Sequence, residues 1–141
     1  MNRSRNRRTE LREACFLILF RADFYENKEE LTEQIQDFFD GEDGFTASEK
    51  SKVTEKVLAI SEKIEEIDEA LNEISVGWKT RRMTSVDLTA LRLAYYEIRY
   101  DSSIPHAASI NEAVELAKNY GTESSGSFVN GILARVVDNE K

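Results

Sequence analysis

Seven aliphatic residues in the middle of the chain decide its fold class. Val53, Val57, Ile60, Ile64, Ile67, Leu71 and Ile74 alternate spacings of four and three within a stretch of about 25 residues. That repeat lays side chains along one side of an α-helix, whereas a strand would divide them between its two faces. Thr46 with Glu49 forms a capping box at the start of this long third helix. Such a seam fits a coiled-coil dimer, or a groove filled by helices 1 and 2 of the same chain. The acids between the seam positions read as its solvated face. One proline, six glycines and no alternating strand pattern extend the reading to an all-α chain.

The remaining helices follow from stripes and punctuation. A first helix is expected from about Arg7 to Phe24, with Leu11, Cys15, Ile18 and Ala22 on one face and Phe16, Phe20 and Phe24 on another. A helix apolar on two sides is packed on two sides, which makes it the expected central post. A second helix from about Lys28 to Asp40 turns Leu31, Ile35, Phe38 and Phe39 inward, and Gly41 and Gly44 break it. Gly77 and Trp78 mark a corner, followed by a short helical turn through Arg82. The next helix runs from about Val86 to Tyr100, capped by Thr84 or Ser85, and Pro105 ends the connection after it. Ser109 is then expected as an N-cap with Glu112 as its capping-box partner. Ile110, Ala113, Val114 and Ala117 form that helix's apolar stripe, and Gly121 its left-handed stop. After a serine-rich turn, Val129, Ile132, Leu133 and Val136 share one face of a final helix. About seven helical pieces result, and 141 residues suit one domain.

A net charge of −8 argues at first against a nucleic-acid partner. The average hides a division: residues 1 to 12 carry five arginines and one glutamate, whereas residues 26 to 74 carry five lysines and sixteen acids. The basic start reads either as a solvated terminus or as a phosphate-binding site. Its approach to a signal peptide ends at Arg21 and Asp23, with no small-residue cleavage site. Cys15 is the single cysteine, which excludes an internal disulfide and fits a reducing cytoplasm. No stretch approaches the roughly 20 apolar residues of a membrane span.

No catalytic constellation emerges. His106 is the only histidine and follows a proline, so metal and thiol-protease sites lack their clustered ligands or base. The serines at 124, 125 and 127 lack a nucleophile elbow, and no glycine-rich loop is placed to cradle a nucleotide cofactor. The expectation is a binding protein with no cofactor, no metal and no enzymatic activity. Single-stranded RNA requires cations for phosphates and ring faces for unstacked bases. Arg5, Arg7, Arg8 and Arg12 meet the first need, with Arg5, Arg8 and Arg12 on one side of a helix extended that far. Phe128 lies at the edge of the last apolar stripe, Arg135 lies one heptad later on that edge, and Tyr120 offers a second ring. Spacing alone leaves Phe128 and Tyr120 open between core residues and exposed platforms.

The stretch Asn111-Glu112-Ala113-Val114-Glu115-Leu116-Ala117-Lys118, then Tyr120-Gly121, then Phe128-Val129-Asn130-Gly131-Ile132-Leu133, resembles the C-terminal signature of the NusB family. Trp78, Arg82, Val86-Asp87, Leu91-Arg92-Leu93-Ala94, Tyr96-Glu97 and Ile104-Pro105 fit the same pattern upstream. The resemblance covers 78 to 133 strongly, the arginine-rich start moderately, and is mute between about 27 and 77.

The resemblance implies an all-α fold of two perpendicular three-helix subdomains within one domain, with an N-terminal half of about 1–76 and a C-terminal half of about 77–141. It implies a transcription antitermination factor that binds a boxA-type single-stranded RNA through the arginine-rich first helix and aromatics near Tyr120 and Phe128. The implied partners are the ribosomal small-subunit protein NusE and, through it, the RNA polymerase antitermination complex in ribosomal RNA transcription. Asp87 and the turn holding Ser124 match the family's partner-facing surface. Three departures stand out: Leu88 where a basic residue usually follows Val-Asp, Ser124 where an acid is usual, and Ser127 where lysine is common. The loss of that lysine implies weaker RNA binding or greater dependence on the partner. Two other readings exist. One is an interaction module of this fold that has lost RNA binding. The other is a fragment of a ribosomal-RNA cytosine methyltransferase, for whose cofactor domain the chain leaves no room.

Overall fold

The computed structural model of the chain describes residues 6–22, 24–25, 28–75, 77 and 79–140. Among them are seven α-helices and no strand: α1 Arg7–Arg21, α2 Leu31–Asp40, α3 Ala47–Glu62, α4 Ile64–Ile74, α5 Ser85–Tyr100, α6 His106–Tyr120 and α7 Ser125–Asn139. Two 3₁₀ turns, Lys28–Glu30 and Thr80–Arg82, precede α2 and α5. The all-α class expected from periodicity is the one observed. No described helix is long and apolar enough to cross a membrane. The chain divides into two compact units, Met1–Glu62 and Lys63–Lys141.

In the first unit α1 packs on α2 and α3. Asn6 caps α1 by accepting from the Thr9 amide at 2.8 Å. The capping box of α3 forms as expected: Thr46 Oγ1 accepts from the Glu49 amide at 3.1 Å, and Glu49 Oε1 accepts from the Thr46 amide at 2.9 Å. Ala14, Cys15, Phe16, Ile18, Leu19, Phe38, Phe39, Val53, Val57 and Ile60 are buried. Phe20, expected inside, is 43% exposed and stacks along the helix on Phe16 at 6.2 Å. Gly44, with φ of +97°, makes the turn ahead of α3 that a side-chain-bearing residue rarely adopts.

The expected long third helix is in fact two helices. The backbone leaves helical geometry at Lys63, with φ −104° and ψ 7°, just after Ser61 Oγ donates to the Leu58 carbonyl at 2.7 Å. A hydroxyl bonded back to the preceding turn competes with the helix's own hydrogen bonds and helps end α3 there. The seam therefore divides. Val53, Val57 and Ile60 belong to the first unit, while Ile64, Ile67 and Leu71 on α4 face a second core, and all six are at most 2% exposed.

In the second unit α5 packs against α4, α6 and α7. Three neighbours explain why Ala90, Leu91, Leu93, Ala94, Tyr95 and Ile98 are buried almost all round the helix. Polar contacts also cross this core. Arg92 grips Asp68 with two hydrogen bonds of 2.8 and 2.6 Å. Ser109 Oγ donates at 2.8 Å to Glu97, whose side chain is fully buried. Ser109 is thus a core residue of α6 and no cap, because that helix begins three residues earlier, after Pro105. Gly121 also differs from expectation. Its φ is −104°, so no left-handed stop is made. A Cβ there would lie 2.7 Å from the Ala117 carbonyl oxygen and 2.9 Å from Ser125 Cβ, so glycine serves close approach at the α6–α7 corner.

Candidate nucleic-acid interface

The predicted residues fall into both units. In the first, the opening turn of α1 carries Arg7, Arg8 and Arg12; Arg5 lies outside the described residues. Arg8 is exposed and makes no hydrogen bond or ion pair with the described residues. Arg12 is half-buried. Arg7 departs from the picture of a free phosphate ligand, because its guanidinium is fully engaged. It donates to both Glu49 oxygens at 2.6 Å, to Glu10 at 2.8 Å and to the Gly44 carbonyl at 2.5 Å, and lies 5.0 Å over the Phe45 ring. The bond from Arg7, helped by the Thr46 amide, holds the Glu49 carboxyl at about 2. The same bond raises the Arg7 pKa above its ordinary value. A groove of about 400 Å³ adjoins this pair, lined by Arg7, Phe38 and Phe45 together with Glu10, Glu13, Glu42 and Asp43. A phosphate approaching Arg7 through this groove also meets the negative field of those carboxylates.

The second unit holds a pocket of about 500 Å³ lined by Arg82, Thr84, Asp87, Thr122, Ser124, Ser127 and Phe128. It brings together three residues singled out from the sequence: Phe128, Asp87 and Ser124. Local chemistry fixes each wall. Thr84 caps α5 by accepting from the Asp87 amide at 3.2 Å, which fixes the backbone that carries the Asp87 carboxylate. Across the α6–α7 corner the Thr122 amide donates to Ser125 Oγ at 3.0 Å, and the Thr122 and Ser124 hydroxyls lie 3.3 Å apart. Phe128 is half-buried, in agreement with its place at the stripe's edge, while Val129 and Leu133 are fully buried beside it.

Asp87 corrects one expectation. Matched as a surface acid, it is only 8% exposed, because it sits in the first turn of α5 within the wall of this pocket. Its Oδ1 is buried without a hydrogen-bond partner among the described residues. Tyr120, at 42% exposed, and Arg135 lie outside the pocket lining. Arg135 Nη1 donates at 3.2 Å to the carbonyl of Ile74, the last residue of α4, a favourable use of a cation at a helix C-terminus. Arg82 and Thr84 were not singled out from sequence as site residues. The signal was present for Arg82, which ends the basic run Lys79-Thr80-Arg81-Arg82.

Residues 9–138 match the NusB family. The chain belongs to the NusB family. The transcription antitermination protein NusB of Lachnoclostridium phytofermentans is 48% identical over 131 residues, spanning 93% of this chain and 98% of that protein. Among solved structures, NusB of T. maritima superposes with a TM-score of 0.85 at 34% identity, covering 95% of this chain and 92% of its own. A crystal structure of the antitermination factors NusB and NusE in complex with dsRNA matches with a TM-score of 0.82 at 26% identity, covering 94% of this chain and 96% of that one. The residues that carry the NusB resemblance divide by burial. Leu91, Leu93, Ala94, Ala113, Leu116, Ala117, Val129, Ile132 and Leu133 are core, whereas Asn111, Lys118, Asn130 and Gly131 face outward. Trp78 lies outside the described residues.

Proposed function

We propose that this NusB-family chain is a transcription antitermination factor: a single cytoplasmic RNA-binding domain, without enzymatic activity, that binds boxA-type single-stranded RNA together with NusE. Through that pair it joins the RNA polymerase complex during ribosomal RNA transcription. The observation that carries the reading is the pocket in the second unit, lined both by a half-buried ring, Phe128, and by Asp87, whose buried Oδ1 has no hydrogen-bond partner among the described residues. A buried acceptor left unpaired costs about 1–3 kcal/mol, a cost offset when a partner supplies an N–H. Asp87 and Ser124 are assigned to the protein partner. Phe128 and Tyr120 are assigned to bases, and Arg5, Arg8 and Arg12 to phosphates. Arg7, Arg12 and Arg135 already interact within the folded chain, and Arg7 and Arg135 contribute to RNA binding only where an incoming phosphate displaces their present acceptors.

Ring platforms favour unstacked bases, so a single strand is the expected ligand and a duplex the weaker one. The test is a titration of labelled boxA-like RNA, single-stranded and duplex, with and without NusE. Tighter binding of the single strand, strengthened by NusE, supports the reading. NusE binding with no RNA binding in either condition favours the interaction-only module, a reading motivated by Ser127 and by the commitment of Arg7 to Glu49.

A further inference from the structure

Folding sorts the arginines of this chain by whether their charge is already used. Arg7 is held by Glu49, Arg92 by Asp68, Arg99 by Glu140 and Arg135 by the Ile74 carbonyl, while Arg21 lies 5.6 Å over the Phe38 ring. The turn between α4 and α5 behaves differently. Lys79, Arg81 and Arg82 are all exposed, and none makes a hydrogen bond or ion pair with the described residues. Three unpaired cations in four consecutive residues attract an anion by their summed potential.

The backbone beneath them is fixed. The Thr80 amide donates to Asn72 Oδ1 at 2.7 Å, the Arg82 amide to the Lys79 carbonyl at 2.9 Å, and the Met83 amide to the Thr80 carbonyl at 3.1 Å. Met83 is buried, and Thr84 immediately begins α5 as its cap. The cations therefore stand on an ordered turn, so binding need not pay to order the backbone that carries them.

Arg82 also lines the pocket that contains Phe128 and Ser127. Asp87 is the one acid in that lining and is mostly buried, whereas Lys79, Arg81 and Arg82 face solvent. An anion arriving from water meets the cations first. We infer that Lys79, Arg81 and Arg82 form a phosphate-binding site for the RNA backbone next to the base that stacks on Phe128, wholly within the second unit and additional to the N-terminal arginines. This rests on the RNA-binding reading above. It also supplies cationic contacts at the pocket where Ser127 supplies none.

The test is RNA binding by the full chain with NusE present, measured across a salt series for the parent, R81A/R82A, R81K/R82K and K52A. Lys52 is an exposed cation on α3 outside the proposed binding machinery and controls for net charge. Removing two phosphate contacts to a single strand should weaken binding roughly tenfold or more. It should also lower the slope of log K against log salt by about 1.4, at 0.7 per contact. R81K/R82K should keep most of the slope, and K52A all of it. A melting temperature close to the parent's shows that R81A/R82A is folded; should it not be, R81Q/R82Q takes its place. An unchanged slope in a folded variant, while the parent binds RNA, overturns this inference and leaves the RNA reading intact. Equal loss in K52A overturns it too, by showing that net charge alone is responsible. A parent that binds no RNA with NusE present overturns both.

Discussion

Phe128 is the residue on which the RNA reading can be tested most directly, because its two roles scale differently. A fully buried Phe truncated to Ala costs about 3–5 kcal/mol of folding free energy. Phe128 is half-buried at the pocket wall, and the side chains that close the core beside it, Val129 and Leu133, are untouched by its removal. The expected stability loss is therefore about half that figure, near 2 kcal/mol. A base stacked on the ring contributes roughly 1–3 kcal/mol, which converts to about a 5- to 150-fold rise in Kd. Urea unfolding gives the first quantity, and anisotropy of a labelled boxA-like RNA with NusE gives the second, both on Phe128→Ala. A folded variant with parental RNA affinity refutes the stacking role. A loss of more than about 4 kcal/mol in stability shows instead that the ring is core and that weaker RNA binding merely follows unfolding. Phe128→Tyr, which keeps the ring face, should bind RNA within a few-fold of the parent.

Other expectations follow from the same contacts. The Glu49 carboxyl is depressed from 4.5 to about 2, first by the Arg7 bond, so its contribution to stability is whole above about pH 4.5 and is lost as pH falls through 2. Glu49→Gln keeps a capping-box acceptor, and the stability gap between parent and variant should close on acidification; an equal gap at about pH 6 and pH 2 in urea titrations would count against the pair. Arg92→Ala removes both of its hydrogen bonds to the mostly buried Asp68 and should cost about 3 kcal/mol, read by the shift in unfolding midpoint. Gly131→Ala adds a methyl to open space on α7 and should stabilise by about 0.5–1 kcal/mol, whereas Gly121→Ala drives a Cβ against Ala117 and Ser125 and should destabilise by more than about 1 kcal/mol. Reversal of those two signs in thermal melts would refute the account of the α6–α7 corner.

What the sequence revealed and what it concealed separate along a physical line. Periodicity reports which side of a helix is apolar, and so the core positions Ile64, Ile67, Leu71, Leu91, Val129 and Leu133 were legible. Periodicity does not report which core a side faces. The seam of α3 and α4 is continuous in sequence yet serves two cores, because a one-residue break at Lys63 leaves the spacing almost unchanged. Capping signals are ambiguous wherever a serine can satisfy another group. Ser109 has the spacing of a cap, but the tertiary contact with Glu97 claims its hydroxyl. Charge was the least legible property. Asp87 was read as exposed because acids usually are, and its burial depends on how α5 and the α6–α7 corner enclose one pocket.

The same reasoning shows how an acidic chain can bind an anion. Formal charge counts every ionised group, whereas a phosphate responds to cations whose fields are not already neutralised at contact distance. The acids concentrate in residues 26 to 74, and two of them, Glu49 and Asp68, are committed to Arg7 and Arg92. These pairs remove two arginines from the accessible supply at no change in net charge. Arg8, Arg81 and Arg82 remain exposed and unpaired among the described residues, and Arg82 lines the same pocket as the ring that would carry a base. It follows that substitutions of equal charge should differ in effect. Arg8→Ala or Arg82→Ala should weaken RNA binding with little change in stability, while Arg7→Ala should lower stability, because it releases Glu49, Glu10 and the Gly44 turn together, and should weaken RNA binding less than Arg8→Ala. Equal RNA losses for Arg7→Ala and Arg8→Ala, with both variants as stable as the parent, would show that the Glu49 contact yields readily to phosphate and that pairing in the free protein does not decide which arginines bind.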